Sequence, residues 1–270
     1  MIEVDKESFK SIKDGMKDIL AENNLIDIHS HIIFGVDDGP QTIEESEGLL
    51  MDAYNQGVRT IVATSHRRIG MFETPEDRIE KNFKSVQKLA KEVAPDLTVL
   101  YGAEIYYSSE LMDKLEKRVV PSINGSSYVL IEFSQNVKFW EIKSGLMNIL
   151  RLGFIPVVAH VERYQAFDGN EDYLKEIINM GCYIQINSSS VLKAKWFNDK
   201  NRLFKKRAKY YLDKDLVHCV ASDMHHLSKR PPYMKEAFEI ISYKYGLKKA
   251  NELFVENPIR IITNQIIEKI

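Results

Sequence analysis

Cysteine is nearly missing from this chain: 270 residues contain only Cys182 and Cys219, each inside an apolar run and forming no C-x-x-C pair. That excludes a disulfide framework and a thiolate metal site, and it fits a reducing compartment. Neither thiol opens a C-x5-R loop, because Ser188 and His225 stand six positions further on. A cysteine-dependent phosphatase therefore has no nucleophile here. Uninterrupted apolar runs of about 18 residues are also lacking, which excludes a membrane-spanning helix. The opening MIEVDKESFKSIKDGMKDIL is charged throughout and carries no signal-peptide core. The chain is expected to begin near Met1 and to work in the cytoplasm.

An excess of charge of one sign is missing too. Lys and Arg number 37 against 39 Asp and Glu, a formal net charge of -2. No global field draws the molecule to nucleic acid or an anionic bilayer, so an anionic ligand must be held by a local site. There is no G-x-x-x-x-G-K-[ST] phosphate loop and no G-x-S-x-G elbow, which removes the commonest NTPase and serine-hydrolase readings. No linker-like, low-complexity or repeated tract divides the chain, and 44% hydrophobic with 28% charged residues suits one globular unit.

Seven short apolar runs are present: 25–31, 59–66, 98–106, 128–133, 155–160, 182–187 and 216–223. Helix-like segments at 42–56, 75–93, 140–152, 172–180 and 200–212 separate them, with Gly57, Gly153 and Gly181 following three of these as a helix end prefers. Alternation of this kind predicts an α/β fold with a parallel sheet, either doubly wound or closed, and the length favours a TIM-like barrel. Residues 1–24 stand apart, with Phe9, Ile12, Met16, Ile19 and Leu20 at helical spacing. They are expected to form an amphipathic helical extension packing outside the barrel or closing one end, ahead of a barrel domain over 25–270.

Chemistry collects where the runs end. His29 and His31 close the first, His66 the second and His160 the fifth; Glu104 and Glu132 stand in the third and fourth, and Asp223 and His225 close the seventh. A lone strand-end histidine is ordinarily a hydrogen-bonded structural residue, but six runs converging on imidazole and carboxylate imply a metal centre of the Zn, Mn or Fe kind. Residues two apart on a strand share a face, so His29 pairs with His31 and Asp223 with His225, whereas His218 and His226 should point elsewhere. Asp37-Asp38-Gly39-Pro40 reads as a turn before a helix.

The motifs DIHSHIIFGVDDGP, TSHRRIGMFETPEDR, YGAEIYY, IEFS, AHVERY and SDMHHLSKRPP occur in that order between residues 27 and 232. They resemble the polymerase and histidinol phosphatase (PHP) family, specifically its bacterial manganese-dependent tyrosine-protein phosphatases of capsule and exopolysaccharide clusters. The resemblance implies a distorted (β/α)7 barrel and three divalent metal ions, Mn2+ first, with Fe or Zn as alternatives. By that resemblance His29, His31, Glu104 and Asp223 hold the first ion, and Glu104 bridges to a second on Glu132 and His160. Asp38, His66 and His225 hold the third, with Asp37 left as a turn residue, while Arg163 and Arg230 grip the phosphate. Val161 departs from the family pattern, which often has Pro there, and the 24-residue extension is not covered.

The activity implied is metal-dependent hydrolysis of phosphotyrosine in a partner protein, a membrane-associated tyrosine autokinase. A phenolate leaves with a pKa near about 10, so a strong general acid is needed less than for serine esters. Two other readings stand beside it, a small-molecule or nucleic-acid phosphoesterase and a metal-bound scaffold without turnover. Lys205, Lys206, Arg207 and Lys209 among Phe204, Tyr210 and Tyr211 read as a solvated helix face with inward aromatics, so no nucleic-acid partner is expected. A homo-oligomer is compatible with the sequence.

Overall fold

β-branched and other apolar residues in the runs, interrupted by helical stretches that begin with caps such as Thr42 and Ser108, produce strands and helices in alternation. The computed structural model describes residues 25–195 and 197–267. Its strands are β1 (Leu25–Ser30), β2 (Val58–Ala63), β3 (His66–Arg67), β4 (Thr98–Tyr101), β5 (Glu104–Tyr106), β6 (Tyr128–Glu132), β7 (Ile155–Val158), β8 (Tyr183–Asn187) and β9 (Cys219–Ala221). The second and third runs are each broken, giving β2 with β3 and β4 with β5. The expected extension over residues 1–24 lies outside the described residues.

Every strand pairing is parallel, in the orders β1-β2-β4 and β3-β5-β6-β7-β8-β9. Backbone bonds from Gly102 N to Ala63 O and from Glu104 N to Thr64 O, both 3.0 Å, carry the pairing across the two breaks. The ends of the series meet as well: Asp223 N donates to His29 O at 2.8 Å, and His31 N donates to Met224 O at 2.9 Å. The result is a curled, barrel-like parallel sheet whose first and last strands touch just where the polar residues begin.

The main crossover helices are α1 (Ile43–Asn55), α2 (Glu76–Val93), α3 (Ser109–Glu116), α4 (Phe139–Arg151) and α5 (Glu171–Asn179), then α6 (Ser188–Val191), α7 (Arg202–Asp213) and α8 (Met234–Tyr245). The longer helices bury apolar residues in the core, as Leu49, Leu50 and Ala53 do on α1. A fully buried side chain of this size contributes roughly 1.5–3 kcal/mol, which the open face of an isolated helix would forgo.

Alternate strand residues, among them Ile26, Ile28, Val62, Leu130, Val157, Cys219 and Ala221, form a second cluster that includes Ile261 and Ile267. Hydrogen bonds from Tyr128 Oη to Gln265 O (2.7 Å) and from Tyr183 Oη to Ile267 O (3.1 Å) tie that C-terminal segment to the beginnings of β6 and β8. The opposite, C-terminal ends of the strands are left for the polar side chains, as barrel enzymes arrange them.

Candidate metal centre

Pairing of β1 with β2 shifts register between Asp27 and Ser30. The irregularity lets Ile28 remain in the interior cluster while His29, the next residue, also turns inward to meet His31. His66 and Glu104 are the first residues of β3 and β5, and Glu132 is the last of β6. The breaks that split the second and third runs thus lie directly before His66 and Glu104.

One nitrogen or carboxylate oxygen from each of His29, His31, Glu104 and Asp223 lies within 4.8 Å of the others. The same holds for His31, Asp38, His66 and His225, and for His66, Glu104 and Glu132. Eight of the nine residues singled out in the sequence therefore fall into three contiguous groups, with His31, His66 and Glu104 shared. The ninth, His160, flanks them: its Nε2 is 2.8 Å from Glu104 Oε1 and 3.7 Å from Glu132 Oε1. His66 joins Glu104 and Glu132 in the third group, and His160 Nε2 lies within reach of the same two carboxylates.

The donor set fits cations. Buried polar atoms normally find hydrogen-bond partners, yet His66 Nδ1, Glu104 Oε2, Glu132 Oε2, His160 Nδ1 and His225 Nε2 have none. Four of these, all except His160 Nδ1, whose ring faces Glu104 with Nε2 instead, are lone pairs that a metal would satisfy. All ligating atoms are nitrogen or oxygen, which suits Mn, Fe or Zn and not a sulfur-loving ion.

Burial and mutual charge set the protonation of these groups. Burial pulls His29 and His66 down, but Glu104, helped by Asp223 for His29 and by Glu132 for His66, drives both imidazoles up to about 9. Burial alone would raise Glu104 and Asp223, and the surrounding cations hold both well below the usual carboxylate range. Glu132 is pushed to about 7 by burial and by the Glu104 charge. His160 and His225 drop to about 4, burial being the main cause, with Arg163 adding repulsion to the first and His31 to the second. At neutral pH these two are uncharged imidazoles with lone pairs to donate.

Two of the residues sit on strained backbone. His160 has φ 35° and Asp223 φ 53°, left-handed conformations that cost a residue with a side chain about 1–3 kcal/mol. No sequence pattern marks them. Arg163, at the end of the single turn Val161–Arg163 that follows His160, donates Nη2 to Asp223 Oδ2 at 2.5 Å, and Arg230 Nη2 reaches the same oxygen at 2.6 Å. Both guanidinium groups are partly exposed and stand at the mouth of the centre.

Asp37 is more than a turn residue. Its buried carboxylate accepts from His31 Nδ1 at 2.8 Å, from His66 N at 2.9 Å and from Gly39 N at 3.0 Å. Despite burial, His31 and His66 hold it well below the usual carboxylate range. Asp27 was not singled out either, and it accepts from the backbone N–H and hydroxyl of Ser222, joining β1 to the segment that carries Asp223.

The bystanders fall where parity places them. His218 is buried away from the centre and accepts through Nδ1 from Ile184 N. His226 belongs to none of the ligand groups among the described residues. Cys182 and Cys219 are free and buried, and burial pushes the Cys182 thiol up to about 12. Three basic residues of α7 have acidic partners, Lys205 with Asp199, Arg207 with Asp168 and Lys209 with Asp213, while Tyr211 is fully buried. No helix among the described residues is long and apolar enough to cross a membrane.

A family model described as capsular polysaccharide synthesis, CpsB/CapC, matches residues 25–263. The tyrosine-protein phosphatase CpsB of Streptococcus pneumoniae is 59% identical over 243 residues, 90% of this chain and 100% of its own length. A solved structure described as YwqE from Bacillus subtilis and CpsB from Streptococcus pneumoniae, unique metal-dependent tyrosine phosphatases, aligns with a TM-score of 0.79. Its identity is 29%, over 90% of this chain and 96% of the other. The phosphotriesterase homology protein of Escherichia coli aligns with a TM-score of 0.60 at 11% identity, over 88% of this chain and 98% of its own, a likeness of fold alone.

Proposed function

The chain belongs to the CpsB/CapC family of capsular polysaccharide synthesis, and we propose that it works there as a metal-dependent tyrosine-protein phosphatase whose cations are held by nine side chains. His29, His31, Glu104 and Asp223 would hold one divalent ion, Glu104 with Glu132 and His160 a second, and Asp38 with His66 and His225 a third. Mn2+ suits the oxygen and imidazole donors, and Fe or Zn are the alternatives. The convergence of His29, His31, Glu104 and Asp223 atoms within 4.8 Å, beside two arginines, carries this reading.

When bound, such cations supply Lewis acidity toward phosphoryl oxygens and lower the pKa of water toward neutrality. The chain's own part is to bind and orient. Arg163 and Arg230 are placed to receive non-bridging phosphate oxygens, for which a planar guanidinium fork is better matched than an ammonium. Their bonds to Asp223 keep both forks fixed before substrate arrives. His160 and His225, neutral at pH 7, present lone pairs without first losing a proton. A strong general acid is needed less when the leaving group is a phenolate than when it is an alkoxide.

The substrate is then a phosphotyrosyl segment of a membrane-associated tyrosine autokinase, met at its cytoplasmic face. The test is turnover of a phosphotyrosine peptide, a phosphoserine peptide and histidinol phosphate by chelated protein with and without added Mn2+. Mn2+-dependent hydrolysis favouring the phosphotyrosine peptide is expected. Equal turnover after chelation would overturn the metal role, and preference for histidinol phosphate would overturn the protein substrate.

A further inference from the structure

Gln185 touches several parts of this centre without belonging to any ligand group. It lies on β8, fully buried, in a strand whose neighbours Ile184 and Ile186 are apolar. Its Oε1 accepts from the His160 backbone N–H at 2.9 Å and stands 3.1 Å from His29 Nδ1. Its Nε2 donates to Asn187 Oδ1 at 2.9 Å, and Asn187 Nδ2 donates onward to Asp223 Oδ2 at 2.7 Å. One amide thus reaches His29 on β1, His160 after β7 and, through Asn187, Asp223 after β9.

The proton directions in this chain follow from one fixed point. A backbone N–H can only donate, so the Gln185 atom beside His160 N must be the oxygen. His29 Nδ1, facing that same oxygen, must then carry a proton, so Nε2, which faces Glu104 and Asp223, is the nitrogen that can offer a lone pair once its own proton is displaced. With the oxygen placed, the Gln185 amide nitrogen points to Asn187 and forces the Asn187 oxygen toward it. The Asn187 nitrogen is left aimed at Asp223. Asp223 Oδ2 thereby receives Asn187, Arg163 and Arg230, and Oδ1 is the atom facing His29, His31 and His225.

The same oxygen also addresses strain. His160 holds a left-handed backbone at φ 35°, and the bond to its N–H is made by a side chain rather than by a neighbouring strand. We propose that Gln185 is a positioning residue of the metal centre, selecting the His29 tautomer, holding the His160 backbone and, through Asn187, choosing which Asp223 oxygen faces the ligands. This rests on the metal-centre reading above. Outer partners of ligating histidines commonly govern affinity by about 10–100-fold.

The experiment is Mn2+ affinity of metal-free protein, read by competition with a chromophoric chelator, for the wild type, Gln185→Met and Gln185→Glu. Wild-type protein that takes up no Mn2+ sinks the metal-centre reading itself. If it binds, Gln185→Met, which keeps the length and loses every bond, is expected to bind about tenfold or more weakly. Gln185→Glu keeps an acceptor for His29 and His160 and is expected to bind at least as tightly as wild type. Wild-type affinity in Gln185→Met, or equal loss in both variants, overturns the assignment. If Gln185→Met does not fold, histidine-15N-labelled wild type loaded with Zn2+ decides: His29 protonated at Nδ1 supports the inference, and a bare Nδ1 overturns it.

Discussion

Asp37 Oδ2 lies 2.8 Å from His31 Nδ1, and the same oxygen accepts the backbone N–H of His66 at 2.9 Å. The bond to His31 settles its ring orientation and turns Nε2 toward Glu104 and Asp223. The bond to His66 ties the start of β3 to the turn that also carries Asp38. Adjacent aspartates therefore divide the work, Asp38 facing His66 and His225 while Asp37 aims the histidines.

Asp37→Ala is accordingly expected to weaken Mn2+ binding and kcat/KM by about 10–100-fold, the usual effect of removing a carboxylate behind a ligating histidine. Asp37→Asn keeps an oxygen for His31 and should lose less. Chelator competition and steady-state rates on an aryl phosphate measure both, and an Asp37→Ala protein indistinguishable from wild type would leave Asp37 a plain turn residue.

Arg163→Ala and Arg230→Ala each remove a phosphate donor while leaving Asp223 Oδ2 two of its three hydrogen bonds. Loss of one preorganised donor costs about 10²–10³ in rate for comparable oxyanion sites. A drop of about that size in kcat/KM, with Mn2+ content and melting temperature close to wild type, is expected. Wild-type turnover in both variants would remove the arginines from phosphate binding. Variants that also lose the metal would make them props of Asp223.

Much of this arrangement is legible in the sequence. The runs are recognisable because buried parallel strands are nearly continuous apolar stretches, and His29, His31, Asp223 and His225 stand out because polar residues interrupt those runs at their ends. The breaks before His66 and Glu104 have no local signature, since TSH and GAE do not differ from strand continuations. In DDGP the two aspartates look equivalent, and only the folded turn decides which one points at His31. Gln185 hides inside an apolar strand, and the left-handed backbones of His160 and Asp223 depend on contacts from other strands. Likewise, the packing of Ile261 and Ile267 into the interior cluster is a tertiary fact that helical periodicity does not carry.

Metal removal should be visible in stability as well as rate. The unpartnered atoms of His66, Glu104, Glu132 and His225 become satisfied when a cation is present. A ligand at a hundred times its Kd stabilises the folded state by about 2.7 kcal/mol, and about 1 kcal/mol moves the midpoint of a chain this size by roughly 2–4 °C. Mn2+ at that excess is thus expected to raise Tm by about 5–10 °C over chelated protein in scanning calorimetry. Coincident midpoints would mean that the cluster holds no ion.

The metal-free protein should lose stability as pH rises from about 6.5 to about 9. His29 and His66 have folded pKa values of about 9, above the unfolded value of 6.5, so the folded state binds more protons through that interval. A raised pKa of this kind stabilises fully below 6.5, and its contribution disappears as pH passes the folded value. Glu132, raised to about 7 from 4.5, acts in the same direction at the lower edge of the window. His160 and His225, lowered to about 4, act oppositely but only below 6.5. Ligand binding must displace the His29 and His66 protons, so Mn2+ affinity should climb over the same interval in which the metal-free Tm falls. Thermal melts and Mn2+ titrations at pH 6.5, 7.5 and 9 test the pair of trends. A metal-free Tm that rises across the window, or an affinity that stays flat, would contradict the charge state assigned to the two histidines.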